Sequence, residues 1–340
     1  MTEQNSFPDE QPGKPKVRRS IAVFTALAIA VAVIFALVVA FVPSHRPNPS
    51  SEADRLASLG LEAYSSGNYS GAIYYFNQSI ALDPDGAYYL GRGMSYYGLG
   101  NMDLALADIS QSVQLNPNRA ITYSWRGEVY YELGEMEEAV ADYNQSISLD
   151  SDNADAYQGR GMAYCRLGEM ENAVADFNQS VLLDSSDALA YVWRGMAYYI
   201  LGDMYQALSD LNQSIQLHPY DATAYCYRGI IYYNLSEMDQ ALSDLNKSIR
   251  FDHSYAHAYY WRGKVYYNLS ETDLALADLN RSLELRPDYA YAYQYRGMAY
   301  LSLGEKEQAI ADFQVCLTLN PDEEARQEVE AYLEELGVTL

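Results

Sequence analysis

Residues 188–221 read ALAYVWRGMAYYILGDMYQALSDLNQSIQLHPYD, a phrase built around Arg194-Gly195. The same pair stands at Arg92-Gly93, Arg126-Gly127, Arg160-Gly161, Arg228-Gly229, Arg262-Gly263 and Arg296-Gly297, at a constant interval of 34 residues. A fixed period of this size marks a solenoid, in which one supersecondary unit is copied and stacked. With the Gly in slot 8 of a 34-slot unit, the copies are 86–119, 120–153, 154–187, 188–221, 222–255, 256–289 and 290–323. A degenerate eighth copy at 53–85 keeps Gly60, Ala72, Phe76 and Pro84.

Within a unit, apolar or small residues fill slots 4, 8, 11 and 14, then 20, 24, 27, 28 and 30. That is helical spacing in two blocks. Gly100, Gly134, Gly168, Gly202 and Gly304 in slot 15 separate the blocks, where glycine takes the left-handed conformation that stops a helix. Each unit is therefore two antiparallel helices and a tight turn, and because one hairpin cannot bury its apolar face alone, neighbours must stack. Ser236 and Ser270 replace the slot-15 glycine in two copies. Serine tolerates positive φ poorly, so those turns either differ in shape or carry strain.

The units resemble tetratricopeptide repeats over residues 53–323. Slot 4 is Tyr89, Tyr123, Tyr157, Tyr191, Tyr225, Tyr259 and Tyr293; slot 11 is Tyr96, Tyr130, Tyr164, Tyr198, Tyr232, Tyr266 and Tyr300. Slot 20 is Ala in all eight copies, from Ala72 and Ala105 to Ala309, and slot 32 is Pro in five, with Ser151, Ser185 and His253 as departures. The resemblance implies an all-α, right-handed α-solenoid of helix-turn-helix hairpins that binds other proteins and carries no catalytic site. Residues 324–340 supply a capping helix with Ala325, Val329, Leu333 and Leu336 on one face, as a repeat array needs at its end.

Two charged slots depart from the family. Slot 7 is usually apolar but here is Arg92, Arg126, Arg160, Arg194, Arg228, Arg262 and Arg296. Slot 23 in the same copies is Asp108, Asp142, Asp176, Asp210, Asp244, Asp278 and Asp312, while the first copy changes both, to Leu59 and Tyr75. The two slots lie equally far from the turn on antiparallel helices, so an Arg–Asp ladder with a structural role is expected. Of 22 Lys and Arg and 46 Asp and Glu, five and four precede residue 53, which leaves the repeats and cap with a net charge of −25. So acidic a surface repels phosphate backbones, excludes nucleic acid and favours neutral or cationic partners.

Ile21 to Val42 is apolar except for Thr25, and as a helix would span roughly 33 Å, enough for a bilayer core. Lys14, Lys16, Arg18 and Arg19 precede it and Arg46 follows. This charge bias reads as a transmembrane anchor at 21–42, a cytoplasmic tail at 1–20 and repeats beyond the membrane. A cleaved signal peptide ending at Val38-Val39-Ala40 is the competing reading, although the run exceeds a usual signal core. If the chain belongs to a eukaryotic organelle, the same anchor leaves the repeats in the cytosol. Ala28, Ala32, Ala36 and Ala40 share one face of this helix, a spacing that suits helix dimerisation. Residues 43–52 are a Pro-rich linker of about 3.1 Å per residue, which keeps the repeats near the membrane.

No motif carries chemistry, metal or cofactor. His253 and His257 are four apart, but His253 falls in an inter-repeat loop. Asp150, Asp152 and Asp155 begin a calcium-like loop that Ala154 and a missing twelfth Glu defeat. Cys165, Cys226 and Cys316 have neither zinc nor disulfide spacing and read as packing residues. Asn77, Asn144, Asn178, Asn212, Asn246 and Asn280 each precede x-Ser, but all share slot 25, so repetition explains the match.

The resemblance further implies a concave groove lined by slots 2, 5, 9, 12 and 13 of the first helices. Its candidate contact residues are Met94, Tyr97, Glu128, Tyr131, Met162, Met196, Tyr199, Tyr233, Lys264, Tyr267 and Met298. An apolar groove with adaptable Met suits docked peptide segments. Slot 5 holds Leu90, Ser124, Gln158, Val192, Cys226, Tyr260 and Gln294 and slot 9 a single Lys, so the family's clamp for C-terminal carboxylates is absent. The functions expected are a membrane-anchored scaffold, a receptor or assembly chaperone for one client, or a docking subunit of a membrane enzyme.

Overall fold

The structure, a computed structural model, describes residues 51–338. Among these residues there are 17 α-helices and no strand. Eight hairpins follow one another: α1 (Glu52–Ser65) with α2 (Tyr69–Leu82), α3 (Gly86–Gly98) with α4 (Met102–Leu115), α5 (Ala120–Leu133) with α6 (Met136–Leu149), and α7 (Ala154–Leu167) with α8 (Met170–Leu183). Then come α9 (Ala188–Ile200) with α10 (Met204–Leu217), α11 (Ala222–Asn234) with α12 (Met238–Phe251), α13 (Ala256–Asn268) with α14 (Thr272–Leu285), and α15 (Ala290–Ser302) with α16 (Lys306–Thr318). A single helix, α17 (Glu323–Glu335), ends the series. The chain divides after Leu183 into two compact bodies, α1–α8 and α9–α17.

Helix starts follow from slot 34, the last residue of each unit. Asp85, Asn153, Asp187 and Asp221 stand there and accept hydrogen bonds from amides in the first turn of the next helix, which satisfies donors a helix end leaves open. Ser51 does the same for α1, so the helix begins inside the segment read as linker. No described helix is long and apolar enough to cross a membrane. The tail at 1–20, the anchor at 21–42, the linker up to residue 50 and the Ala28/Ala32/Ala36/Ala40 face lie outside the described residues.

The two helices of a hairpin meet through their smallest residues. All eight slot-20 alanines, Ala72 to Ala309, are 0% exposed. A Cβ added at Gly93 would stand 2.6 Å from Ile109 and 3.2 Å from the Ala105 carbonyl, so slot 8 has no room for a side chain. Within each body, first helices of successive hairpins also touch one another, whereas the second helices touch only their sequence neighbours. Stacking is therefore tighter on the first-helix side, and in each body the first helices line the inside of the curve. Below the last hairpin of the second body, α17 buries Ala325, Val329 and Leu333 and stacks Tyr332 on Phe313 with centroids 5.3 Å apart.

Size is also traded between neighbouring hairpins inside each body. Slot 24 carries a large ring at Phe76 and Tyr143, and slot 6 of the following hairpin is then Gly91 or Gly159, where any Cβ would collide with that ring. Where slot 24 is Ile109, Leu211, Leu245 or Leu279, slot 6 is instead Trp125, Tyr227, Trp261 or Tyr295. Close packing inside each body accounts for these exchanges, since a core tolerates neither overlap nor void; Phe177, at the end of the first body, is followed in sequence by Trp193 without the exchange.

The turns resolve the question of the two serines. Glu135 and Glu169 donate backbone hydrogen bonds to Tyr130 and Tyr164 across glycine turns with φ of 83° and 79°. Glu237 and Glu271 donate equivalently to Tyr232 and Tyr266, with Ser236 and Ser270 at φ 62°. The shape is the same, so each serine holds a left-handed conformation with a Cβ that opposes it. Ser236→Gly and Ser270→Gly should each stabilise the chain by about 0.5–1 kcal/mol. Denaturant melts of the single variants check this; an unchanged or lower midpoint would contradict it.

Candidate functional site

The slot-7 arginines and slot-23 aspartates face each other within every hairpin from the second to the eighth. Arg92 forks onto Asp108 through Nε and Nη2 at 2.6 and 2.7 Å. The same paired bonds join Arg126–Asp142, Arg160–Asp176, Arg194–Asp210, Arg228–Asp244, Arg262–Asp278 and Arg296–Asp312 at 2.6–2.9 Å. Each guanidinium lies 5.3–5.7 Å from the centroid of its slot-4 tyrosine, a cation–π placement. The third guanidinium nitrogen reaches the preceding hairpin: Arg92, Arg160, Arg228, Arg262 and Arg296 donate to Asn77, Asn144, Asn212, Asn246 and Asn280. Each of these five rungs thus ties two helices of one hairpin to the hairpin before it. Those five asparagines belong to the Asn-x-Ser matches, and their serines, among them Ser79, Ser146 and Ser214, are buried inside the stack.

The candidate groove residues do not share one environment. In the first body, Met94 and Tyr97 are buried, and Tyr97 meets Trp125 edge to face at 5.8 Å. Tyr131, Met162 and Glu128 are half-buried. Arg166 stands 5.9 Å from the Tyr131 ring centroid. Glu128 is held from two sides: Tyr97 donates its hydroxyl to Oε1 and Tyr143 donates to Oε2, each at 3.0 Å. Burial raises the Glu128 carboxyl above its usual range, and the hydrogen bonds from Tyr143 and Tyr97 oppose that rise.

In the second body, Met196, Tyr199 and Lys264 are buried, Lys264 to 1% exposure. Its ammonium sits 4.6, 4.7 and 5.5 Å from the ring centroids of Tyr295, Trp261 and Tyr233. Tyr233, Tyr267 and Met298 are half-buried. Asn234 and Asn268 donate to the Tyr199 and Tyr233 hydroxyls, each reaching back one hairpin. His257 accepts from the Trp261 indole through Nε2 at 2.9 Å, which leaves its proton on Nδ1, 3.7 Å from the Cys226 sulfur. Burial and the nearby Arg286 push the imidazole down to about 3, so it is neutral at pH 7. No group of three or more His, Cys, Asp or Glu among the described residues could hold a metal ion.

Two features escape a slot-by-slot reading. All three tryptophans, Trp125, Trp193 and Trp261, occupy slot 6, and Trp125 and Trp261 pack against the candidate residues Tyr97 and Lys264. Their spacing of 68 residues was the available signal. Tyr143 is the one slot-24 tyrosine and it reaches the one slot-9 glutamate, through a core that Gly159 leaves open.

Two outcomes follow from these contacts. Removing one member of a largely buried pair strands the other, at a cost of about 3 kcal/mol or more, whereas replacing both with apolar residues costs far less. Asp244→Ala should therefore destabilise the chain more than the double change Arg228→Met with Asp244→Leu; the reverse order in denaturant melts would contradict a structural ladder. For Glu128 the folded-state pKa lies above the unfolded one. The folded chain binds the extra proton in that window, so stability falls as pH rises through it and the cost is complete above it. Glu128→Gln should then be more stable than the parent at pH 7, with the gap closing as pH approaches about 4. A pH-independent gap would show that burial and the Tyr97 and Tyr143 hydroxyls do not hold the carboxyl as described.

Family models described as tetratricopeptide repeats match residues 57–120, 127–168, 154–187, 188–221, 231–270 and 262–334. No curated protein matches significantly. Among solved structures, one similar chain is from the APC/C hetero-tetramer Cut9-Hcn1, with 21% identity and a TM-score of 0.65 over 83% of this chain and 56% of that one. The chain thus spans little more than half of that relative. Another is a tetratricopeptide repeat protein from Parabacteroides merdae, with 21% identity and a TM-score of 0.60 over 72% of this chain and 96% of that one. A third is pilF of Pseudomonas aeruginosa, with 18% identity and a TM-score of 0.55 over 62% and 96%. These likenesses concern the fold, and with the repeat matches, which together cover most of residues 57–334, they identify the chain as a member of the tetratricopeptide repeat family.

Proposed function

We propose that the chain is a membrane-anchored, non-catalytic scaffold that docks segments of other proteins on the first-helix faces of its two bodies. The observation that carries the reading is the contrast between the two sides of a hairpin. On the Arg–Asp side the polar atoms are paired among themselves in repeating rungs. On the first-helix side the same columns vary from copy to copy: slot 9 is Met, Glu, Ile or Lys. A column that only closes a hairpin is uniform, as slot 20 is, and inside each body the packing columns 6 and 24 vary by trading size with each other, whereas slot 9 changes in charge as well. Variation on a half-buried, Tyr- and Met-rich face is what recognition of a particular partner requires.

The anchor places these faces beside a membrane. Residues 21–42 supply the apolar span, and the cations before it orient the tail at 1–20 to the cytoplasm and the repeats to the other side. The acidic repeats select neutral or cationic segments.

Site-specific photocrosslinking in native membranes tests the docking reading. Probes at Met162 and Met298, on first helices, should give discrete protein adducts. Probes at Leu104 and Leu274, half-exposed on second helices, should give few. Equal yields from both sets, or none from the first, would contradict it. Deleting residues 1–42 should release the chain from the membrane fraction; retention there would refute the anchor.

A further inference from the structure

Slot 9 of the first helices is Met94, Met162, Met196, Ile230 and Met298 in five copies and charged in only two. Lys264 is fully buried among rings. Glu128 is half-buried, and its carboxylate is oriented by two phenols that come from different hairpins, Tyr97 on α3 and Tyr143 on α6. Two departures from the repeat coincide to build this arrangement. Slot 9 becomes Glu and slot 24 of the same copy becomes Tyr instead of Phe, Leu or Ile, its ring lying over Gly159 as the Phe76 ring lies over Gly91.

Packing alone does not call for this group. A methionine fills the slot elsewhere, and a desolvated carboxylate is unfavourable to folding. An ionised carboxylate has about four acceptor positions. One hydroxyl on each oxygen leaves acceptor capacity on both. Among the described residues no cation forms an ion pair with Glu128, and Arg166 lies over the Tyr131 ring. The neighbouring Tyr131 ring already attracts one cation, Arg166, to its electron-rich face, and the net charge of −25 on the repeats and cap draws cationic segments toward the group.

We propose that Glu128, held between Tyr97 and Tyr143, is the seat for one lysine or arginine side chain of a protein segment docked on the first-helix face of the first body. The inference rests on the docking reading above and adds the chemistry of the guest. The guest's flanking residues are apolar, matching Met162 and Tyr131, and the guest proposed is a segment of another protein, on the reading that residues 21–42 span a membrane between the basic tail and the repeats.

The test uses the full-length chain in detergent and a displayed library of random 12-residue peptides. Peptides enriched on the parent chain should share one Lys or Arg beside apolar residues. Their affinity should fall about tenfold or more on Glu128→Gln, and as much when the peptide cation is replaced by norleucine or citrulline. The two changes together should cost no more than either alone. An unaltered melting profile of Glu128→Gln at pH 4 keeps loss of fold out of the result. Enriched peptides without a cation, or equal binding by the variant, would overturn the seat and leave the docking reading standing. Failure to enrich any peptide would overturn both. Displacement by a synthetic peptide of residues 8–20 as strong as by the selected ones would assign the seat to the chain's own tail, against the proposal.

Discussion

Every hairpin closes over a fully buried alanine in slot 20 and a glycine in slot 8 whose Cβ would meet the facing helix, its slot-24 side chain or the alanine carbonyl, and everything else is arranged around that closure. Without those small residues the two helices could not come near enough for slot 24 to pass between them into the next unit. A hairpin closed this way still has one apolar side uncovered, because its core is only one layer deep. The next hairpin covers that side and in turn presents its own. At the end of the second body α17 breaks the sequence, offering Ala325, Val329 and Leu333 inward and a run of glutamates outward. Stability in such an array is a sum of weak units and the interfaces between them.

The abundance of tyrosine, 34 in 340 residues, follows from the same geometry. In slot 4 the ring supports the guanidinium of its own hairpin. In slot 12 the hydroxyl of Tyr199 or Tyr233 meets an asparagine from the following hairpin. A phenylalanine would serve the packing in either place but could not end in a hydrogen bond at the boundary with water. The polar network is therefore modular in the way the core is: each bond spans one hairpin or two adjacent ones. The Arg–Asp–Asn rung fits that scheme, and its absence ahead of Arg126, where Ser110 replaces asparagine, marks one interface held by packing without the extra tie.

What the sequence revealed depended on whether a residue repeats. Hairpins, turns and the family were legible because the Arg-Gly pair, the slot-20 alanine and the slot-15 glycine recur, and periodicity is a statement about recurrence. The facing of Arg92 and Asp108 could be inferred because antiparallel helices put slots equidistant from a turn side by side. The environment of the groove residues could not. Met94 and Met162 share a slot, yet one is buried and the other half-buried, because their neighbours in adjacent copies differ. The contact of Tyr143 with Glu128 needs Gly159 as well, and such diagonal relations between one copy and the next vanish when the copies are read column by column. The membrane segment is the opposite case: it was read from composition alone and lies outside the described residues.

Protection of backbone amides from hydrogen exchange in the full-length chain, before and after Gly263→Val, tests most directly whether each hairpin stands only against its neighbours. The substitution forces α13 away from Leu279 and Ala275, which lie 3.0 and 3.3 Å from the position a Cβ would take. The account predicts that protection falls in α13 and α14 and also in the adjoining α11–α12 and α15–α16, fading with distance along the stack. Loss confined to α13 and α14, with both neighbours at full protection, would mean that each hairpin is stable by itself and would contradict the account.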